Sequence, residues 1–246
     1  ERNLREFTAS ASVPVVDDRL FLRASLRDFS TDGAFTNNVD RRTLGDQSST
    51  TFSMALIARP FDWLDLTVRS TNREDEDGPP ASAMLGAGDL NCGPFGGGTF
   101  RFYCGAIPAR ARFTLNSDAV ANVQEIDAFG FTRDADLVTA QAAMDVLGHT
   151  ITLTAARYTD DNRDVGDLDL TGINRFATVT YQTFEDDSVE LKLTSSADQR
   201  LRYIVGAYAY EGRFTSNAFT TGSFTVLAGN LTGLPAFASR APDIFR

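Results

Sequence analysis

Apolar and polar residues alternate with period two over several separate stretches, which predicts strands whose two faces meet different surroundings. The clearest pair flanks a polar turn at Ser195–Gln199. Before it, Val189, Leu191 and Leu193 oppose Glu190, Lys192 and Thr194. After it, Leu201, Tyr203, Val205 and Ala207 oppose Arg202, Gly206, Tyr208 and Tyr210, with Ile204 an apolar exception. Asp136–Leu147 alternates as cleanly, with Val138, Ala140, Ala142, Met144 and Val146 against Thr139, Gln141, Ala143 and Asp145. Gly148-His149 turns the chain, and Thr150–Tyr158 returns with Ile151, Leu153 and Ala155 on its apolar side. Two further hairpins are Phe7–Val13 with Leu20–Asp28, turned from Pro14, and Thr50–Ala58 with Trp63–Arg73, turned by Arg59–Asp62.

Between the hairpins the pattern is lost. Ser30–Gln47, Glu74–Asn116 and Asp160–Asn174 read as long loops. Ser117–Arg133 is assigned to the second of these, although part of it carries a short helical pattern. Phe176–Tyr181 reads as a short strand or the outward extension of one, and Phe214–Arg246 resumes no convincing alternation.

Strand, short turn, strand, long loop thus recurs, giving about eight strands of about 9–11 residues, a length that crosses a bilayer when tilted. A lone sheet in lipid leaves its edge backbone groups unsatisfied, so it must close. The prediction is an all-β, antiparallel up-and-down transmembrane β-barrel meander, with short turns on one side and long loops on the other. An arginine facing lipid near the midplane costs about 2–4 kcal/mol. The polar face is therefore assigned to the lumen: Arg23, Arg27, Arg69, Gln141, Asp145, Arg157, Glu190, Lys192 and Arg202. The competing reading of this set is the solvated face of an ordinary sheet. Trp63, beside a short turn, fits an aromatic girdle at a membrane interface, against the alternative of a lid on a soluble core.

Composition removes several classes of function. The chain has 246 residues and a formal net charge of -10, with no cluster of basic residues, which argues against nucleic acid. No apolar run is long enough for a transmembrane helix. ERNLREFTAS has no signal-peptide core, so an exported protein is expected to have its start ahead of Glu1. His149 is the only histidine and falls at a short turn. No Ser-His-Asp arrangement or metal-ligand spacing is present, so no catalytic residue, metal or cofactor is expected. The acidic runs Glu74–Asp77 and Asp160, Asp161, Asp164, Asp167 and Asp169 supply oxygen atoms but lack calcium-loop spacing, and read as solvated loop.

Cys92 and Cys104 lie in a Gly-rich stretch. A loop disulfide, and hence an oxidising compartment, is the better reading than two free thiols. Phe95, Phe100, Phe102 and Tyr103 in the same stretch are candidates for contact with a small-molecule substrate, or for packing around the disulfide.

Three segments carry a resemblance. SVPVVDDRLFLRASLRDFSTDGAFTN, ALIARPFDWLDLTVRSTNREDEDGPP and SVELKLTSSADQRLRYIVGAYAYEG resemble, in this order, barrel hairpins of TonB-dependent outer-membrane receptors of the kind abundant in sphingomonad and caulobacter-like bacteria. In the last, Val189–Leu193 stands in the family's QELRL slot and Tyr203 where a Trp is usual. The resemblance implies a barrel of about 22 strands. It also implies outer-membrane lipid around the barrel, a plug, and a TonB complex engaged through an N-terminal region. The implied activity is uptake of a scarce nutrient of siderophore, vitamin or carbohydrate class, without covalent chemistry. On this reading residues 1–246 are an internal section of one barrel domain, the plug and remaining strands lying outside it. Such a section is expected to aggregate alone through its two sheet edges. The alternative is a self-contained eight-stranded barrel with an adhesive or structural role.

Overall fold

Eight long strands form one antiparallel sheet in the computed structural model, which describes residues 3–82, 91–95, 99–102, 104, 129–168, 170 and 176–222. In chain order the elements are β1 (Arg5–Val16), β2 (Leu20–Thr31), β3 (Phe35–Thr36), β4 (Thr43–Leu44), β5 (Gln47–Phe61) and β6 (Leu64–Asp77). They continue with β7 (Cys92–Phe95), β8 (Thr99–Phe102), β9 (Gly130–Val146), β10 (His149–Asp167), β11 (Phe176–Ser195) and β12 (Ile204–Gly222). The large sheet runs β1-β2-β5-β6-β9-β10-β11-β12, each strand beside its predecessor in the meander. β3-β4 and β7-β8 are small ribbons within long connections. Among the described residues β1 and β12 do not pair with each other, so the sheet is open.

Directly paired residues share a face. One row runs Leu22, Leu56, Val68, Ala140, Ala155, Val189 and Ala209 across seven strands. The rows beside it add Leu20, Ala58, Leu66, Ala142, Leu153, Leu191 and Ala207, and Ala24 with Met54. Among the described residues nothing packs over this apolar band: Met54, Leu56, Val68, Leu153, Val189 and Leu191 are all exposed. Aromatic residues stand at both of its limits. Phe61 and Trp63 stack with ring centroids 5.3 Å apart at the short-turn end, and Phe7 and Phe52 lie toward the other end. Trp63 is 47% exposed, so it does not cap a packed core. From Phe52 to Phe61, steps of about 3.4 Å give roughly 30 Å along β5, or roughly 23 Å at a tilt of about 40°, close to the apolar belt of outer-membrane barrels.

The turns follow their residues. Leu147 and Gly148 both have positive φ (52° and 75°), the geometry of a tight two-residue hairpin. Pro14 falls where the β1–β2 register shifts between Pro14 and Val16, and Pro60 where the β5–β6 register shifts between Ala58 and Phe61.

Several strands are longer than their alternation predicts. The acidic run Glu74–Asp77 is the end of β6, and Asp160–Asp167 is the end of β10. Phe176 opens a single strand that continues to Ser195, and β12 runs on through Phe214 to Gly222. On β6 and β10 nearly every residue beyond the band is polar on both faces, so the ladder continues while the period-two signal vanishes. A small apolar cluster of Leu44, Phe129, Val165, Ala177 and Val179 pins the loops at this end. Gly130 is required there: its φ is +130°, and a Cβ would collide with the Asp77 carbonyl.

Candidate functional site

The face opposite the apolar band gathers most of the sequence-derived polar set. Arg23, Ala55, Arg69, Thr139 and Ala156 form one row; Thr67, Gln141, Thr154, Glu190 and Tyr208 form the next; Asp145 and Lys192 follow nearer the short-turn end. Two members fall elsewhere. Arg157 pairs with Val138 and Asp187, which puts it on the apolar band's own face, in the row of Met54 and Val138, where it forms an ion pair with Asp187 at 3.6 Å. The sequence reading miscounted because polar Arg157 interrupts the face carrying Ile151, Leu153 and Ala155. Arg202 lies ahead of β12, in the connection from β11, and belongs to neither face. That connection folds as a unit: the Ser195 amide donates to the Tyr203 carbonyl at 3.0 Å, and the Ser196 amide to the Gly148 carbonyl at 3.1 Å. His149 Nδ1 donates to the Leu147 carbonyl at 3.0 Å, and its Nε2 accepts from the Tyr203 hydroxyl at 2.8 Å.

Above the level of the band, this polar face holds a tighter network. Asp75, whose side chain is 5% exposed, receives Arg73 Nε at 2.9 Å and Arg133 Nε at 2.8 Å, with a further bond from Arg133. Burial alone raises the Asp75 carboxyl; the Ser49 hydroxyl and the two guanidinium groups outweigh it and hold its pKa below the ordinary value. Arg27 Nε donates to Glu6 at 2.8 Å and its guanidinium lies over the Phe29 ring at 5.0 Å. The Tyr158 hydroxyl donates to Asp160 at 2.6 Å, and Tyr210 to Asp186 at 2.7 Å. Of these groups the sequence assigns Arg27 to the lumen and gives Asp75 and Asp160 only as members of acidic runs read as solvated loop. The others were legible by carrying the period of two onward: Arg69, Arg73 and Asp75 are spaced by even steps, as are Gln141 and Arg133. Among the described residues, no group of three His, Cys, Asp or Glu side chains is arranged to hold a metal ion.

The cysteines are joined, with Cα atoms 5.7 Å apart. The bond closes the β7-β8 ribbon, where Cys92 pairs with Phe102 and Phe95 with Thr99. Asn91 adds a two-way clamp: its side chain donates to the Cys104 carbonyl at 3.0 Å and accepts from the Cys104 amide at 2.6 Å. Phe95, Phe100 and Phe102 have their backbones on this ribbon; their side chains, and all of Tyr103, lie outside the described residues. Reduction is expected to lower the ribbon's local stability by about 2–3 kcal/mol, the loop-closure contribution of a short ring. Proteolysis should then cut between Asn91 and Cys104 while the eight-stranded sheet stays intact; unchanged cleavage after reduction contradicts this.

No family model and no curated protein matches the chain. Among solved structures, the ferric yersiniabactin uptake receptor FyuA from Yersinia pestis matches with a TM-score of 0.66 and 14% sequence identity. The two share a fold. The match covers 88% of this chain and 30% of that receptor, so the chain spans under a third of the receptor's length. At this identity the likeness concerns architecture, the long antiparallel meander, and function has to be argued from the faces of the sheet.

Proposed function

We propose that these eight strands are part of the wall of a larger outer-membrane β-barrel of the TonB-dependent receptor kind, serving energised uptake of a scarce small-molecule nutrient. One observation carries this reading: a single sheet with a continuous exposed apolar band, limited by aromatics on one face, and charged residues on the other. Such a sheet suits lipid on one side and an aqueous lumen on the other. The edges of β1 and β12, unpaired among the described residues, support neighbouring strands on both sides, and the fold shared with an uptake receptor supports the same assignment.

On this reading Arg23, Arg27, Arg69, Gln141, Asp145, Glu190 and Lys192 line the lumen. Arg157 faces outward at the level of lipid headgroups. The disulfide-closed ribbon with Phe95, Phe100, Phe102 and Tyr103 stands at the long-loop end, where an external ligand arrives. TonB engages a part of the receptor outside this section, and the nutrient is a siderophore, vitamin or carbohydrate. The test is uptake by whole cells. A strain lacking the protein should lose uptake of one labelled compound among iron chelates, vitamins and oligosaccharides, and a protonophore should abolish the same uptake in the parent strain. Uptake that survives the protonophore contradicts energised transport.

A further inference from the structure

The polar face holds a cleft of about 200 Å³ past the end of the apolar band, lined in part by Arg27, Phe29, Ser49, Arg73, Asp75 and Arg133. Arg27 on β2 and Arg73 on β6 flank Thr51 of β5 in one row, so their Cα atoms are about 10 Å apart, two strand spacings. Each arginine is anchored through Nε alone, Arg27 on Glu6 and Arg73 on Asp75. A guanidinium has five N–H donors, so the four on the terminal nitrogens of each remain without a hydrogen bond among the described residues. The Phe29 ring under Arg27 further restricts that side chain. Ser49, one pleat along from Thr51 on the same face, is 8% exposed and pairs directly with Asp75, toward whose carboxylate its hydroxyl donates.

We propose that this cleft is an oxyanion subsite for the transported molecule. Arg27 and Arg73 take a carboxylate or phosphate group through their terminal N–H donors. Guanidinium forks match the planar, two-oxygen geometry of such groups, which a compact ammonium does not. Arg133 is committed to Asp75 through two nitrogens, and its part is to hold that carboxylate against Arg73. The ligand class is therefore a small molecule bearing a carboxylate or phosphate. This inference rests on the uptake reading for the identity of the ligand as the transported molecule.

The test uses the full natural polypeptide extracted in detergent from outer membranes, titrated calorimetrically with citrate and, separately, with inorganic phosphate. At least one probe should bind, which also tells carboxylate from phosphate. R27Q and R73Q should each weaken binding by about tenfold or more, and R73K should weaken it too, because charge without the fork is insufficient. Absence of binding by both probes overturns the subsite, as does wild-type affinity in R27Q and R73Q. Folded, heat-modifiable receptor that binds neither probe sinks this inference alone. Absence of the protein from outer membranes sinks the uptake reading instead.

Discussion

Leu153→Arg is expected to prevent stable assembly in a membrane, whereas Thr154→Arg, one residue along, is expected to be tolerated. Leu153 pairs with Ala142 on one side and Leu191 on the other, in the middle of the exposed apolar band. An arginine on a lipid face at that depth costs about 2–4 kcal/mol. That is a large share of a total stability of about 5–15 kcal/mol. Thr154 points to the opposite face between Gln141 and Glu190, where a new guanidinium gains a carboxylate neighbour. The readout is the urea midpoint of the heat-modifiable folded form of the full polypeptide. A marked drop for Leu153→Arg with little change for Thr154→Arg is the expected result. Equal losses at both positions contradict the assignment of faces.

Asp75→Asn is expected to cost about 2 kcal/mol, less than the 3–5 of a fully buried pair, because both partner guanidinium groups reach solvent. Asp75 is the shared acceptor of Arg73 and Arg133, and its loss leaves two cations facing each other across β6 and β9. The sign of the pH dependence follows from the lowered carboxyl. Its stabilisation is complete above the unfolded value near 3.8 and is lost as pH falls through the lower folded value. The stability gap between the parent and Asp75→Asn should therefore be full at neutral pH and shrink in strong acid. A gap that does not narrow in acid contradicts the account of this network.

The eight-stranded meander was legible because the band imposes a period of two wherever the two faces of the sheet differ. Val138 to Val146 and Ile151 to Ala155 show it without ambiguity. The same cause explains what was missed. Past the band, polar residues occupy both faces of β6 and β10, so Glu74–Asp77 and Asp160–Asp167 lose the alternation while their backbone ladders continue. Register, which sequence alone leaves open beyond the apolar core, is what brings Asp75, Arg73, Arg133 and Arg27 to one face and sends Arg157 to the other. Tyr203 and Arg202 looked like strand residues because their spacing fits the alternation of the hairpin. The structure uses them instead to close the turn, where the Tyr203 hydroxyl binds His149 and its carbonyl binds the Ser195 amide. The disulfide was readable from two cysteines in a Gly-rich stretch; the Asn91 clamp beside it had no signal, since a lone asparagine announces no partner.

The most direct test of the central claim is the intact mass of the natural polypeptide carrying this sequence, taken from purified outer membranes. The account predicts that it is found there and that its mass is several times the 26.8 kDa of this chain, as a large barrel with a plug requires. A polypeptide near 26.8 kDa that runs as a heat-modifiable band would mean that the eight strands close on themselves, and it would contradict uptake through a larger barrel.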